Sequence, residues 1–242
     1  NRRSFVAKNV DGKRTVRNVV FKDEKIRKVY HELFDEAQQR YNAKQKRKDR
    51  KIDNYYEKIR TSKQEKLYYE IIVPIGNKDD TNAKSVDGII AKHTLEDYMK
   101  DFEKRNPNLR VFGAYLHMDE ETPHLHIYFV PFVTGSKRGM DTRVSLKAAL
   151  DEQGFKGNSR GNTEWKQWVE SEKMELEKVM ERHGIQWLKK GTHEKHLSVL
   201  DFEKRERAKE VKQLEEQIKE KDDEIIQKER QINVQFQTNK II

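Results

Sequence analysis

Two runs of strand-forming residues, 109–117 and 124–131, are separated only by Met118-Asp119-Glu120-Glu121-Thr122-Pro123. A link of this length with Asp and Pro is a hairpin connection, so the two runs pair antiparallel at the centre of a domain. Side chains alternate across a strand. His124 and His126 therefore share one face, while Leu125 points into the opposite, buried one. His117 ends the first run, across the hairpin, where its imidazole reaches the same face.

The rest of the chain is read around this pair. Residues 22–66 contain no Gly or Pro, and Ile26, Val29, Tyr30, Leu33, Phe34, Ala37 and Tyr41 recur at helical spacing. The pattern predicts one or two helices with a basic, exposed end at residues 44–51. Residues 67–75 are aromatic and β-branched and read as a strand closed by Pro74 and Gly76. Residues 77–87 read as a loop. Thr94 is expected to open the next helix, which Asn106-Pro107-Asn108 ends. Ser145 caps a short helix over 146–152. A longer helix over 163–182 carries Trp165, Trp168, Val169, Leu176, Val179 and Met180 on one face and stops at Gly184. Val211, Ile218, Ile225 and Ile232 repeat every seven residues, but the intervening d positions are Leu214, Lys221 and Lys228. That predicts a long helix or a weak coiled coil.

Composition narrows the class. Only 34% of the 242 residues are hydrophobic and 38% are charged, which suits one compact domain with solvated helical extensions. No apolar stretch approaches the ~20 residues of a membrane span. The chain has no cysteine, which excludes disulfides and thiolate metal sites and fits a reducing compartment. Residues 1–66 hold 21 Lys and Arg against 10 Asp and Glu, a net of +11, whereas the whole chain is +9. A polyanion, nucleic acid first of all, should meet this N-terminal third, with Lys44, Lys46, Arg47, Lys48, Arg50 and Lys51 neutralising phosphates.

Three of the chain's 8 histidines lie within ten residues. His117, His124 and His126 converging on one face form a three-ligand divalent-metal site with positions left for water and substrate. Asp119 and Glu120 stand close enough to fix the tautomer of a ligand histidine. A metal beside a basic segment points to a phosphodiester substrate. Spacing does not choose between water, as in a nuclease, and a Tyr or His side chain, as in a strand-transfer enzyme.

The stretch His117-x-Asp119-Glu120-x-Thr122-Pro123-His124-x-His126, followed by Val130-Pro131-Phe132, resembles the HxDExTPHxH motif of plasmid mobilisation relaxases of the Mob/Pre (MobV) type, within the HUH endonuclease superfamily. Arg14-Thr15-Val16-Arg17-Asn18 is similar to that family's N-terminal R-[ST]-x-x-N segment. Tyr55 to Arg60, and Glu164-Trp165 onwards, also resemble its longer members. The similarity extends from residue 1 to about 200.

The resemblance implies an α+β fold, with an antiparallel sheet of about five strands packed with helices, then a long C-terminal helix. Residues 1–200 would be the relaxase domain and 201–242 the helix, a possible homodimer contact. The activity would be metal-dependent, site- and strand-specific nicking and religation of DNA at a plasmid or transposon transfer origin, through a covalent 5′-phosphoryl enzyme in the bacterial cytoplasm. His117, His124 and His126 would be ligands of Mn²⁺ or Mg²⁺, and Glu120 a supporting catalytic acid. Arg3, Arg14 and Asn18 would join the 44–51 cluster on duplex and single-stranded origin DNA. The family's nucleophile is a His in an H-N-x-R motif, and Asn1-Arg2-Arg3 resembles the N-x-R part of it, with the His expected immediately before Asn1; Tyr55 and Tyr56 are the fallback. The alternatives are a non-catalytic DNA-binding autorepressor, a rolling-circle replication initiator and a water-using nuclease.

Overall fold

The computed structural model describes residues 10–76, 82–187 and 199–238, in two compact units, 1–187 and 188–242. In the first unit β1 (Val19–Asp23), β2 (Tyr69–Pro74), β3 (Leu109–His117), β4 (His124–Val133) and β5 (Arg143–Val144) make one five-stranded sheet. Every pairing is antiparallel, the order is β1-β3-β4-β2, and β5 pairs with the far end of β4. The hairpin is the centre of this sheet, with His117 opposite His124 and Leu116 opposite Leu125. β3 carries a bulge between Val111 and Gly113.

The alternating pattern divides the two faces. Leu109, Val111, Ala114, Leu116, Leu125, Ile127 and Phe129 are fully buried on one. There they pack with α3 (Val86–Lys100), α4 (Phe102–Arg105), α5 (Leu146–Glu152) and α6 (Glu164–Arg182). Among the described residues the other face is covered only at one end. α1 (Ile26–Ala43) and α2 (Tyr55–Arg60) bring Val29, Tyr30, Phe34, Tyr55 and Ile59 onto Val130 and Val144. The remainder, from Tyr115 and Tyr128 to the hairpin end, stays accessible.

The helix signals explain most boundaries. Ser145 and Thr163 accept the backbone N–H groups of Ala148 and Lys166 as N-caps of α5 and α6. Gly184, at φ 75°, follows α6, and Ile185 N–H closes back on the Met180 carbonyl. Thr94 is a correction. α3 begins eight residues earlier, at Val86, because Ser85 caps it by accepting from Gly88 N–H at 3.0 Å. Thr94 is buried in mid-helix, and its hydroxyl is satisfied by the Ile90 carbonyl one turn back. Gly88 is required by space: a Cβ there would lie 2.2 Å from the Asn82 carbonyl oxygen.

Two further departures concern the N-terminal third. Val19–Asp23 is a strand, which takes Lys22 and Asp23 out of the segment expected to be helical from residue 22; it edges the sheet beside β3. The basic residues 44–51 are not a helical end either. They form an exposed loop with a single 3-10 turn at Lys48–Arg50. Its base is pinned by Asn42, which exchanges 2.8 Å hydrogen bonds with both backbone groups of buried Ile52.

The second unit contains α7 (Val199–Thr238). Val211, Leu214, Ile218 and Ile225 are exposed along it. Lys221 pairs with Glu224 at 3.0 Å, which holds that carboxyl below its ordinary range. Among the described residues no helix is long and apolar enough to cross a membrane.

Candidate functional site

The hairpin delivers the three histidines to the accessible face. Their ring centroids lie 5.3 Å (His117–His124), 5.1 Å (His117–His126) and 5.0 Å (His124–His126) apart. Among the described residues, no group of three or more His, Cys, Asp and Glu is closed to the spacing of a formed metal shell. The imidazoles are neighbours, not yet gathered around a point.

Their hydrogen bonds fix which nitrogen is available. His124 Nδ1 lies 2.7 Å from the Thr122 carbonyl oxygen. A carbonyl only accepts, so Nδ1 carries the proton and Nε2 keeps its lone pair. His126 Nδ1 lies 2.6 Å from Glu70 Oε1, on β2. Burial opposes ionisation of Glu70, but hydrogen bonds from His126 and Tyr128 prevail and hold its carboxyl low. His117 Nδ1 faces Asp119 Oδ1 at a longer 3.4 Å. Each imidazole thus has Nδ1 engaged by a different partner, which leaves three Nε2 atoms as the donor set a divalent cation of the first transition row prefers. Glu120 Oε1 is 4.0 Å from His124 Nε2, beside the trio.

Glu70 was not legible beforehand. It stands 56 residues from His126, and only the register Ile72↔His126 brings β2 alongside. Around it lies an aromatic surface. Tyr128 stacks on His126, with planes 12° apart, and meets Tyr115, Tyr68 and Phe112 at about 6 Å. Tyr68, Ile72 and Val20 are exposed at its margin. Burial and the bond to Glu70 push the Tyr128 hydroxyl up to about 12, and burial and a bond to Asp23 raise Tyr115. Tyr55 is 7% exposed and its hydroxyl accepts from Val144 N–H at 3.0 Å. It is part of the α1–α2 core, which removes the physical basis for using it as a nucleophile.

The proposed DNA contacts separate into two groups. Lys44, Lys46, Arg47, Lys48, Arg50 and Lys51 are all exposed in one loop. Arg14 and Asn18 turn inward instead. Arg14 is 9% exposed, and its guanidinium donates to the carbonyls of Met118, Glu120 and Asp119 and to Asp11. Asn18 Oδ1 accepts from Met118 N–H at 2.7 Å. Both were expected on DNA through the family resemblance; a contact across about a hundred residues gives no local signal. Arg3 lies outside the described residues.

The antiparallel sheet thus presents His124 and His126 on a central strand around buried Leu125, opposite His117 on the neighbouring strand. The chain belongs to the plasmid recombination enzyme family, Mob/Pre, whose family model matches residues 2–204. Among solved structures, it is similar to the Mn-bound MobM relaxase domain (MOBV) in complex with 22 nucleotides of plasmid pMV158 oriT DNA. The two are 21% identical, with 83% of this chain and 86% of that one covered and a TM-score of 0.46. A second MobM complex, with 22 nucleotides and a 3′-thiophosphate, is 21% identical over 83% and 85% of the chains, with a TM-score of 0.45. Comparison with curated proteins gives no match.

Proposed function

We propose that this chain is a DNA relaxase, nicking and rejoining one strand at a plasmid or transposon transfer origin in the bacterial cytoplasm. The observation that carries the reading is the trio of imidazoles with every Nδ1 engaged, on the accessible face of a Mob/Pre chain. His117, His124 and His126 would hold Mn²⁺ or Mg²⁺, which when bound polarises a non-bridging oxygen of the scissile phosphate. Single-stranded DNA lies along the aromatic surface, where bases stack on Tyr68, Tyr115 and Tyr128. The exposed 44–51 loop holds adjacent duplex through its phosphates and sets the register. The attacking side chain loses its proton and bonds to phosphorus as the bond to the 3′ oxygen breaks. The products are a 3′ hydroxyl, which gains a proton, and a 5′-phosphoryl enzyme. Glu120 supports the site from beside His124.

The test compares the chain Asn1–Ile242 with the same chain carrying a His placed before Asn1. Each is incubated with Mn²⁺ and supercoiled plasmids bearing transfer origins, denatured, and run with and without protease. The reading expects nicked circles with protein on the 5′ end from the His-bearing chain. Free 5′ ends point to a water-using nuclease. Tight origin binding without nicking by either chain points to a binding module.

The tail adds a second element. Val211, Ile218 and Ile225 with Leu214 form an exposed apolar stripe, interrupted at d by Lys221 and Lys228. We infer a weak, concentration-dependent homodimer through residues 201–242. Sedimentation velocity should show it at tens of micromolar as an order-of-magnitude working range; an unchanging monomer over that range counts against it.

A further inference from the structure

The segment Asp11–Asn18 closes on the hairpin link from outside the sheet. Asp11 N–H donates to the Asp119 carbonyl at 2.7 Å, Arg14 clamps three successive carbonyls of residues 118–120, and Asn18 accepts the Met118 N–H. Two members reach a side chain: the Thr15 hydroxyl donates to Asp119 Oδ2 at 3.0 Å, and the Asn18 side chain also hydrogen-bonds the Asp119 carboxylate. Asp119 is 5% exposed, and its other oxygen, Oδ1, is the one that faces His117 Nδ1. A short carboxylate therefore has one oxygen tied to Thr15 and the other turned to an imidazole.

We propose that Thr15 is a positioning residue, which orients Asp119 so that His117 is held as its Nδ1–H tautomer with Nε2 turned to the site. The argument is geometric. A carboxylate has two rotatable bonds and can swing; a hydroxyl on one oxygen and backbone clamps on both sides of residue 119 remove that freedom. Ligand histidines depend on such outer partners for orientation and basicity. The inference rests on the metal reading above, and its test separates the two.

Thr15→Val removes the hydroxyl at nearly constant shape, and Thr15→Ser keeps it. Mn²⁺ affinity is read on the full chain by electron paramagnetic resonance of the free ion, with circular dichroism confirming a folded chain at the assay temperature. T15V should bind Mn²⁺ about tenfold more weakly and T15S within about twofold of the parent, the low end of the range for lost outer partners. In the metal-free chain, long-range ¹H–¹⁵N spectra should show His117 as Nδ1–H in the parent and T15S, and as a tautomer mixture in T15V. Equal affinity and equal tautomer populations in all three overturn the proposal, as does a T15S chain as impaired as T15V. A parent chain that binds no Mn²⁺ overturns the metal reading, and the tautomer spectra still decide the role of Thr15.

Discussion

His124→Ala, made in the chain that nicks, should lower origin nicking on the order of a thousandfold while folding and duplex binding persist. The magnitude follows from losing the several kcal/mol that charge stabilisation at a phosphoryl oxygen supplies, at about 1.4 kcal/mol per factor of ten. The rest follows from placement. The ring sits on the accessible face, packed against the two other imidazoles, while the core-facing neighbour is Leu125. Removing it opens no cavity in the main core. The cations expected to grip duplex are in the 44–51 loop that follows α1, away from the hairpin in sequence. Nicking assays beside urea denaturation and electrophoretic shift with origin duplex check all three parts. A variant that nicks normally removes His124 from the mechanism; one that melts early makes it structural.

The second large effect is on stability and lies on the opposite face. Glu172→Ala should cost about 3–5 kcal/mol, the range for breaking a buried ion pair from one side. Glu172 is 9% exposed in the middle of the apolar stripe of α6. Its carboxylate accepts from Tyr98 Oη at 2.6 Å, Arg105 at 3.0 Å and Asn106 Nδ2 at 2.9 Å. Asn106 Oδ1 in turn accepts from Trp168 Nε1 at 2.6 Å. Truncation strands a partly buried guanidinium and unties the link between α3, α4 and α6. Burial and the Glu172 charge both push the Tyr98 hydroxyl far up, so Tyr98 stays a donor throughout. Chemical denaturation should show a lower midpoint with an unchanged slope. A loss below about 1 kcal/mol would mean that water replaces the carboxylate.

The sequence reading succeeded where local pattern and tertiary role coincide. The hairpin, the faces of His124, Leu125 and His126, and the cap Ser145 all follow from spacing within a few residues. It failed where the partner is distant. Ser85 caps α3 because Asn82 and Ala83 turn there, whereas Thr94 offers an equally good cap signal that its burial overrides. Val19–Asp23 lacks a buried alternating face and is strand only because β3 lies beside it. Glu70 is a lone charge in an aromatic, β-branched run and Arg14 and Asn18 lie in a cationic stretch, and nothing local distinguishes a solvated side chain from one that holds the site. Glu172 interrupts a helical apolar stripe, and only its three partners, from 66 to 74 residues away, make it a core residue.

The bulge at Phe112 has a consequence beyond its local bend. A strand sorts its side chains by odd and even number, and an extra residue reverses the sorting for everything downstream. Before the bulge Leu109 and Val111, both odd, face the core; after it Ala114 and Leu116, both even, do so, and Tyr115 and His117 face out. One inserted residue is thus what separates a third imidazole on the working surface from an imidazole driven into the leucine core. The chemistry of the hairpin is set by parity five residues upstream of His117, at a position that touches neither histidine of β4. Within this sheet a single-residue deletion there does what no side-chain exchange can: it turns the strand inside out.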